Sequence, residues 1–190
     1  ALGGPGSRIT LSGLTDSSRQ GDSSVRYLFS LLGVKTVFDV SGSDVPRMVT
    51  IENTGRMVPR LEYDFINAPD LAQTFVTCCA ALGVPFHFKG LQTLKIKETD
   101  RIEALKTEMR KLGYVIEEID GRELRWTGER CDAEPIPVID TYEDHRMALA
   151  FAPLSMKIDG LRINNPGVVT KSYPQYWNDL RRVDFDIRQL

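Results

Sequence analysis

The stretch Leu94-Lys95-Ile96-Lys97-Glu98-Thr99-Asp100-Arg101-Ile102 decides how this 190-residue chain is read. Its opening reads as the end of a strand over Leu91 to Ile96, and Asp100 then opens a helix that runs to Leu112 and stops on Gly113. Ile102, Leu105, Met109 and Leu112 share one helical face, while Lys106, Arg110 and Lys111 lie towards the C-terminal end, where cations suit the macrodipole. Arg101, with Lys97 just before it, lies at the opposite, positive end, where bare cations are mildly unfavourable. Either an anion sits at that helix start, or Arg101 pairs with Glu98 or Asp100 in a solvated charge cluster.

The same arrangement recurs further along. In Asp144-His145-Arg146-Met147 the acidic residue is a good N-cap, and the following Met-Ala-Leu-Ala-Phe-Ala is apolar on every side, so the helix from Asp144 to about Ser155 must be buried. His145 and Arg146 then occupy its one polar end. In Val168-Val169-Thr170-Lys171-Ser172-Tyr173-Pro174 a short strand leads to a lysine, with Pro174 placed as the first residue of a last helix. A fourth junction, Asn67-Ala68-Pro69-Asp70, opens an apolar helix that closes on Gly83; Asp70 is either an N-cap or a carboxylate that joins Glu98 in carrying protons.

Further strands are expected at Arg8 to Leu11, Thr36 to Val40, Tyr114 to Ile119 and Leu161 to Asn164, and a helix over Asp22 to Leu32 closing on Gly33. This alternation gives an α/β (α+β) class. Acidic helix starts and Leu-Gly stops recur at Leu32-Gly33, Leu82-Gly83 and Leu112-Gly113, which fits repeated strand-helix units, although glycine is also the commonest helix stop. Residues 41–60 read as a hairpin or surface loop around a β-prone piece, Met48 to Glu52, and His87 as a strand residue between two phenylalanines.

Composition narrows the function class. With 26 acidic and 24 basic residues the formal charge is -2, so no global field draws the chain to nucleic acid or anionic membrane, and any anion needs a local site. Cys78, Cys79 and Cys131 are odd in number without CxxC spacing and read as buried thiols of a reducing, cytoplasmic compartment. No apolar run approaches a membrane span and no basic-apolar leader is visible. The His, Cys and carboxylate spacing suggests no metal site, and Ser172 has no motif that would make it a nucleophile.

Lys-Glu-Thr-Asp-Arg-Ile, Asp-His-Arg-Met-Ala and Lys-Ser-Tyr-Pro, together with Gln20-Gly21-Asp22 and Pro69-Asp70-Leu-Ala-Gln-Thr, resemble the C-terminal domain of 5-enolpyruvylshikimate-3-phosphate synthases over almost the whole chain. The resemblance implies a two-domain enzyme with each domain built of βαβαββ units, an inside-out α/β barrel. Residues 1–190 would be the phosphoenolpyruvate-binding domain without its opening strand and helix, and the N-terminal domain, its partner across the cleft, would lie outside this chain. Carried over by position, Arg101, Arg146 and Lys171 would bind phosphoenolpyruvate, Asp70 and Lys97 would contact shikimate 3-phosphate, and Asp70 and Glu98 would be the acid-base pair. His145 would line the site. Thr93 stands where many relatives have Asn; it still donates a hydrogen bond but reaches less far. The reaction implied needs no cofactor. The segment from Val40 to Tyr63 reads as longer than is usual in the family. Two other readings are an enolpyruvyl transferase acting on UDP-N-acetylglucosamine, against which the Lys-Glu-Thr-Asp-Arg and Asp-His-Arg-Met pair argues, and a non-catalytic anion-binding module.

Overall fold

The computed structural model describes residues 1–14, 24–38 and 48–189. The elements run β1 (Arg8–Ser12), α1 (Ser24–Leu31), β2 (Leu32–Phe38), β3 (Met48–Met57), β4 (Leu61–Asp64), α2 (Ala72–Leu82), β5 (Phe86–Lys89), α3 (Arg101–Lys111), β6 (Glu117–Ile119), β7 (Glu123–Trp126), β8 (Val138–Ile139), α4 (His145–Phe151), β9 (Arg162–Ile163) and α5 (Tyr176–Arg182). Short 3₁₀ turns cover Pro69–Leu71, Gln92–Ile96, Ala152–Met156 and Pro166–Lys171.

The middle of the chain is one complete βαβαββ unit, β4-α2-β5-α3-β6-β7. Its four strands lie in the order β4-β5-β7-β6, with β4 parallel to β5 and the other pairs antiparallel. β1, α1, β2 and β3 repeat the last four elements of that unit, because the sheet order β1-β3-β2 matches β5-β7-β6. β8, α4 and β9 repeat its first three, again with the two strands parallel across a helix. A 3₁₀ turn and then a helix follow both β5 and β9.

Burial explains which helices lie inside. α2 hides residues on every side, among them Ala72, Phe75, Val76, Cys79 and Ala80, and α4 hides Met147, Ala148, Ala150 and Phe151. α3 buries the expected stripe, with Ile102, Leu105 and Met109 at 0% exposure. Phe65, Phe75, Phe86, Phe88 and Trp126 join these helices to the middle sheet in one core. α2 ends on Gly83 at φ 70°. Among the described residues no helix is long and apolar enough to cross a membrane.

Several sequence expectations are corrected. Leu91 to Ile96 is not a strand but the 3₁₀ turn Gln92–Ile96, because Leu91 and Leu94 are both fully buried and three residues per turn places them on one side. Val168 to Thr170 likewise lies in the 3₁₀ turn Pro166–Lys171, entered at a proline of fixed φ, with Val169 alone of the three fully buried. Pro174 is not the first helical residue: it lies in a turn closed by Tyr176 N–H on Tyr173 O, and α5 starts two residues later. The strand expected at Thr36 to Val40 begins earlier, at Leu32, so Gly33 (φ 82°) lies within a strand, at a register shift, instead of stopping a helix. The β-prone piece expected at Met48 to Glu52 is indeed strand, but β3 runs on to Met57 and is the central strand of its sheet, so much of the stretch read as hairpin or surface loop is sheet. Asp22, the Gln20-Gly21-Asp22 motif and the tip of the expected hairpin lie outside the described residues.

Candidate active site

The expected site residues, Thr93 apart, gather in one ion cluster around the guanidinium of Arg101. Arg101 stands at the first turn of α3 with its side chain 2% exposed. It donates from Nε to Asp144 Oδ2 at 2.6 Å, from Nη2 to Asp144 Oδ1 at 3.2 Å and to Glu98 Oε2 at 2.7 Å, and from Nη1 to Asp70 Oδ1 at 2.8 Å. Three carboxylates from three junctions of the fold thus close round one cation. A solvated charge cluster is excluded, although the Glu98 contact that reading required is present.

The surrounding cations are held more loosely. Arg146 Nη2 lies 3.3 Å from Asp70 Oδ2, and its Nη1 donates to the Asp70 carbonyl at 3.2 Å. Lys97 Nζ is 3.5 Å from Asp70 Oδ1, and Lys171 Nζ is 3.9 Å from Glu98 Oε1. Their side chains are 34%, 36% and 68% exposed respectively. Four cations against three carboxylates leave the cluster one charge positive, and that surplus lies on its open side. Such a surface receives an anion.

The reason those cations stand there differs from the expectation. The start of α3 is already capped, since Asp100 Oδ1 accepts from the N–H groups of Ile102 and Glu103, and the start of α4 is capped by Asp144 Oδ1 accepting from Arg146 N–H at 2.9 Å. Lys171 ends a 3₁₀ turn, not a strand, and α5 begins only at Tyr176, so the lysine does not stand at its start. Carboxylates from neighbouring units, not free helix N–H groups, place the cations. Asp70 in turn makes no side-chain cap, so its N-cap alternative falls away and both its oxygens face the cluster.

His145 Nδ1 is 3.9 Å from Asp144 Oδ1 and is buried without a hydrogen-bond partner. Burial pushes its pKa below the ordinary histidine range, against the pull of Asp144, so the ring is neutral near pH 7. Thr93 is exposed on the 3₁₀ turn, and no side-chain contact joins it to the cluster. The sequence reading missed the partnership of Asp144 with Arg101. Gln73 was missed as well: buried on α2, it donates to Asp144 Oδ2 at 3.5 Å. A sequence signal for Asp144 existed, since a carboxylate at the end of a buried helix needs a positive partner.

Asp144 is delivered by an unusual turn. Tyr142 (φ 53°) and Glu143 (φ 57°) are consecutive left-handed residues, which cost roughly 1–2 kcal/mol each without glycine. Asn165 Nδ2 holds the Glu143 carboxylate at 2.8 Å, and Tyr142 Oη donates to Glu108 Oε1 at 2.7 Å. Burial, with Glu108 beside it, raises the Tyr142 pKa well above the ordinary range and keeps it a donor.

The family model for EPSP synthase (3-phosphoshikimate 1-carboxyvinyltransferase) matches residues 4–180. The chain belongs to the EPSP synthase family. A 3-phosphoshikimate 1-carboxyvinyltransferase of Bacteroides fragilis (strain YCH46) is 52% identical over 184 residues, covering 97% of this chain and 43% of that protein. One from Nostoc punctiforme is 32% identical over 176 residues, covering 90% of this chain and 38% of the relative. The chain therefore spans less than half the length of these curated relatives. An EPSP synthase structure from Acinetobacter baumannii superposes with a TM-score of 0.68 at 18% identity, over 94% of this chain and 42% of that one, which shows the shared fold.

Proposed function

We propose that this chain is the phosphoenolpyruvate-binding, C-terminal domain of a 3-phosphoshikimate 1-carboxyvinyltransferase, and that the ion cluster at Arg101 is its half of the active site. The observation that carries the reading is the convergence of Asp70, Lys97, Glu98, Arg101, Arg146 and Lys171 from separate units of the fold. The N-terminal domain of the longer protein supplies the facing wall and most of the shikimate 3-phosphate contacts. The enzyme works in the cytoplasm.

Arg146 and Lys171, exposed and loosely paired, take the phosphate and carboxylate of phosphoenolpyruvate. Arg101 joins them when the incoming carboxylate replaces Glu98 on its Nη2, which also releases Glu98 for proton transfer. Lys97 and Asp70 face shikimate 3-phosphate. Glu98, released from Arg101, takes up a proton from solvent; the substrate 5-hydroxyl then loses its proton to Asp70 and attacks C2 of phosphoenolpyruvate while Glu98 gives its proton to C3. In the second step Glu98 recovers a C3 proton, and the proton held by Asp70 passes to the departing oxygen as the C2–O bond to phosphate breaks, giving the enol ether and inorganic phosphate. Both steps give and take protons at carboxyl groups beside a cationic cage that holds the developing charge. Neutral His145 packs under Asp144 and orients its neighbours.

The test uses the longer protein. Glu98→Gln keeps shape and hydrogen bonding but cannot carry a proton, so kcat should fall by about a hundredfold or more with little change in phosphoenolpyruvate binding. Arg146→Lys keeps the charge but loses the planar fork, so binding should weaken by about 1–3 kcal/mol. Both variants within about threefold of the parent in kcat and KM would refute the assignment.

A further inference from the structure

We infer that Glu108, which lies outside the ion cluster, is a positioning residue for it: from the C-terminal half of α3 it fixes the left-handed turn that presents Asp144 to Arg101 at the other end of the same helix. The inference rests on reading the cluster as the active site. Glu108 is a fully buried carboxylate, and its described contacts lie within its own helix and on the segment from Asp140 to Tyr142. Oε1 accepts from Tyr142 Oη at 2.7 Å, and Oε2 accepts from Asp140 N–H at 3.1 Å. Its countercharge, Lys111 Nζ at 2.8 Å, also donates to the Val138 carbonyl at 2.9 Å and to Asp140 Oδ2 at 3.0 Å.

α3 therefore grips the chain from Val138 to Asp144 at both ends. Lys111 and Glu108 hold Val138, Asp140 and Tyr142, and two turns away, about 10 Å along the axis, Arg101 holds Asp144. Between these anchors the chain passes through Tyr142 and Glu143, neither of which favours its left-handed backbone. Freed of the Tyr142 hydroxyl bond, the turn relaxes towards ordinary φ values, which moves the Asp144 carboxylate relative to both Arg101 and the Arg146 N–H that it caps. Fold stability alone does not account for a charge at this position, because an apolar side chain of similar volume commonly serves a buried ion pair's place equally well. Registration of the turn does account for it.

The experiment compares Glu108→Gln and Tyr142→Phe with the parent. In this chain, solvent exchange of the Arg101 Nε–H, followed by NMR, reads its bond to Asp144, and the amides of Ile102 to Met109 report general opening of α3. Both variants should speed Nε–H exchange by about tenfold or more while those amides stay within about threefold. Exchange that is unchanged, or that rises only in step with the α3 amides, would overturn the inference and leave Glu108 a packing residue. Tyr142→Phe removes one hydroxyl and no charge, so it is read alone if Glu108→Gln does not fold. In the longer synthase the same substitutions should raise KM for phosphoenolpyruvate about fivefold or more with kcat within about twofold. Faster Nε–H exchange beside unchanged KM in an active enzyme would also overturn it. A longer protein without synthase activity would defeat the functional reading, while the exchange result would still decide the geometry.

Discussion

Asp144→Asn probes the cluster at its buried end. Asp144 is 0% exposed and holds Arg101 through two oxygens, at 2.6 and 3.2 Å. Removing one partner of a buried ion pair generally costs about 3–5 kcal/mol, because the other charge stays buried. Arg101 retains Asp70 and Glu98, which are 35% and 30% exposed and can follow it, so the asparagine variant should lose about 2–3 kcal/mol. Asparagine still caps Arg146 N–H through its carbonyl, whereas Asp144→Ala loses that cap as well, about 1 kcal/mol more. For a chain of this size each kcal/mol moves Tm by about 2–4 °C, so the asparagine variant should melt about 4–12 °C lower, with alanine below it. Urea unfolding followed by circular dichroism gives the free energies directly. The double replacement Arg101→Met with Asp144→Leu should recover most of the loss, since neither charge is then stranded. An asparagine variant within about 0.5 kcal/mol of the parent would show that Asp144 does not neutralise Arg101, and the convergence on one guanidinium would lose its meaning.

His145 has a pKa lowered by burial, so the unfolded chain binds its proton first as pH falls. Its contribution to stability is complete above the ordinary value of 6.5 and is lost as pH drops towards the folded value; an NMR titration midpoint at or above 6.5 would contradict the described burial. Gly90 has φ 73°, and an added Cβ would collide with the Asp64 carboxylate and the Ile66 backbone, whereas Gly83 at φ 70° faces open space. Gly90→Ala should therefore cost about 3 kcal/mol or more and Gly83→Ala about 1 kcal/mol, and equal losses on urea unfolding would refute the clash. Without the facing domain the chain alone should release no phosphate from both substrates above background, because the effective molarity of the closed cleft is lost. Phosphate titrated into it should still shift NMR signals of Arg146 and Lys171, at about millimolar affinity; shifts confined to other residues would contradict the open cationic face.

Much of the ion cluster was legible in the sequence because charge at the end of an apolar helix is conspicuous. Asp144-His145-Arg146 before Met-Ala-Leu-Ala-Phe-Ala announces a polar group on a buried element, and α4 is buried as expected. The shape of the connections was not legible. Leu91 and Leu94 are compatible with a strand or a 3₁₀ turn, and only the neighbouring core decides that both must point inward. β3 was hidden for a related reason: its β-prone start runs into Asn53-Thr54-Gly55, turn-forming residues kept in a strand by pairing with β2 at Val34↔Asn53 and by Asn53 Nδ2 on the Ala1 carbonyl. Glu108 gave no sequence signal because an acidic residue between the apolar-face positions Leu105 and Met109 reads as an ordinary solvated side chain. Only the fold brings Tyr142 to it.

The repeat explains why a single arginine needs carboxylates from different units. Asp70 precedes α2 and Asp144 precedes α4 at matching places in the complete unit and its partial copy, and the same number of residues separates Asp70 from Lys97 as separates Asp144 from Lys171. Duplication alone would give two similar carboxylate-lysine pairs. The environments then diverge: Asp144 is fully enclosed, whereas Asp70 is 35% exposed and touches Lys97, Arg101 and Arg146 together. A proton-carrying group has to reach substrate, which the enclosed copy cannot do and the open one can. Asp144 can instead hold Arg101 rigid, because its remaining contacts, Gln73 and the Arg146 N–H, come from the protein itself. On the proposed function, the same repeat position supplies the anchor in one unit and the working carboxylate in the other. Exchanging their surroundings, not their chemistry, is what separates the two roles.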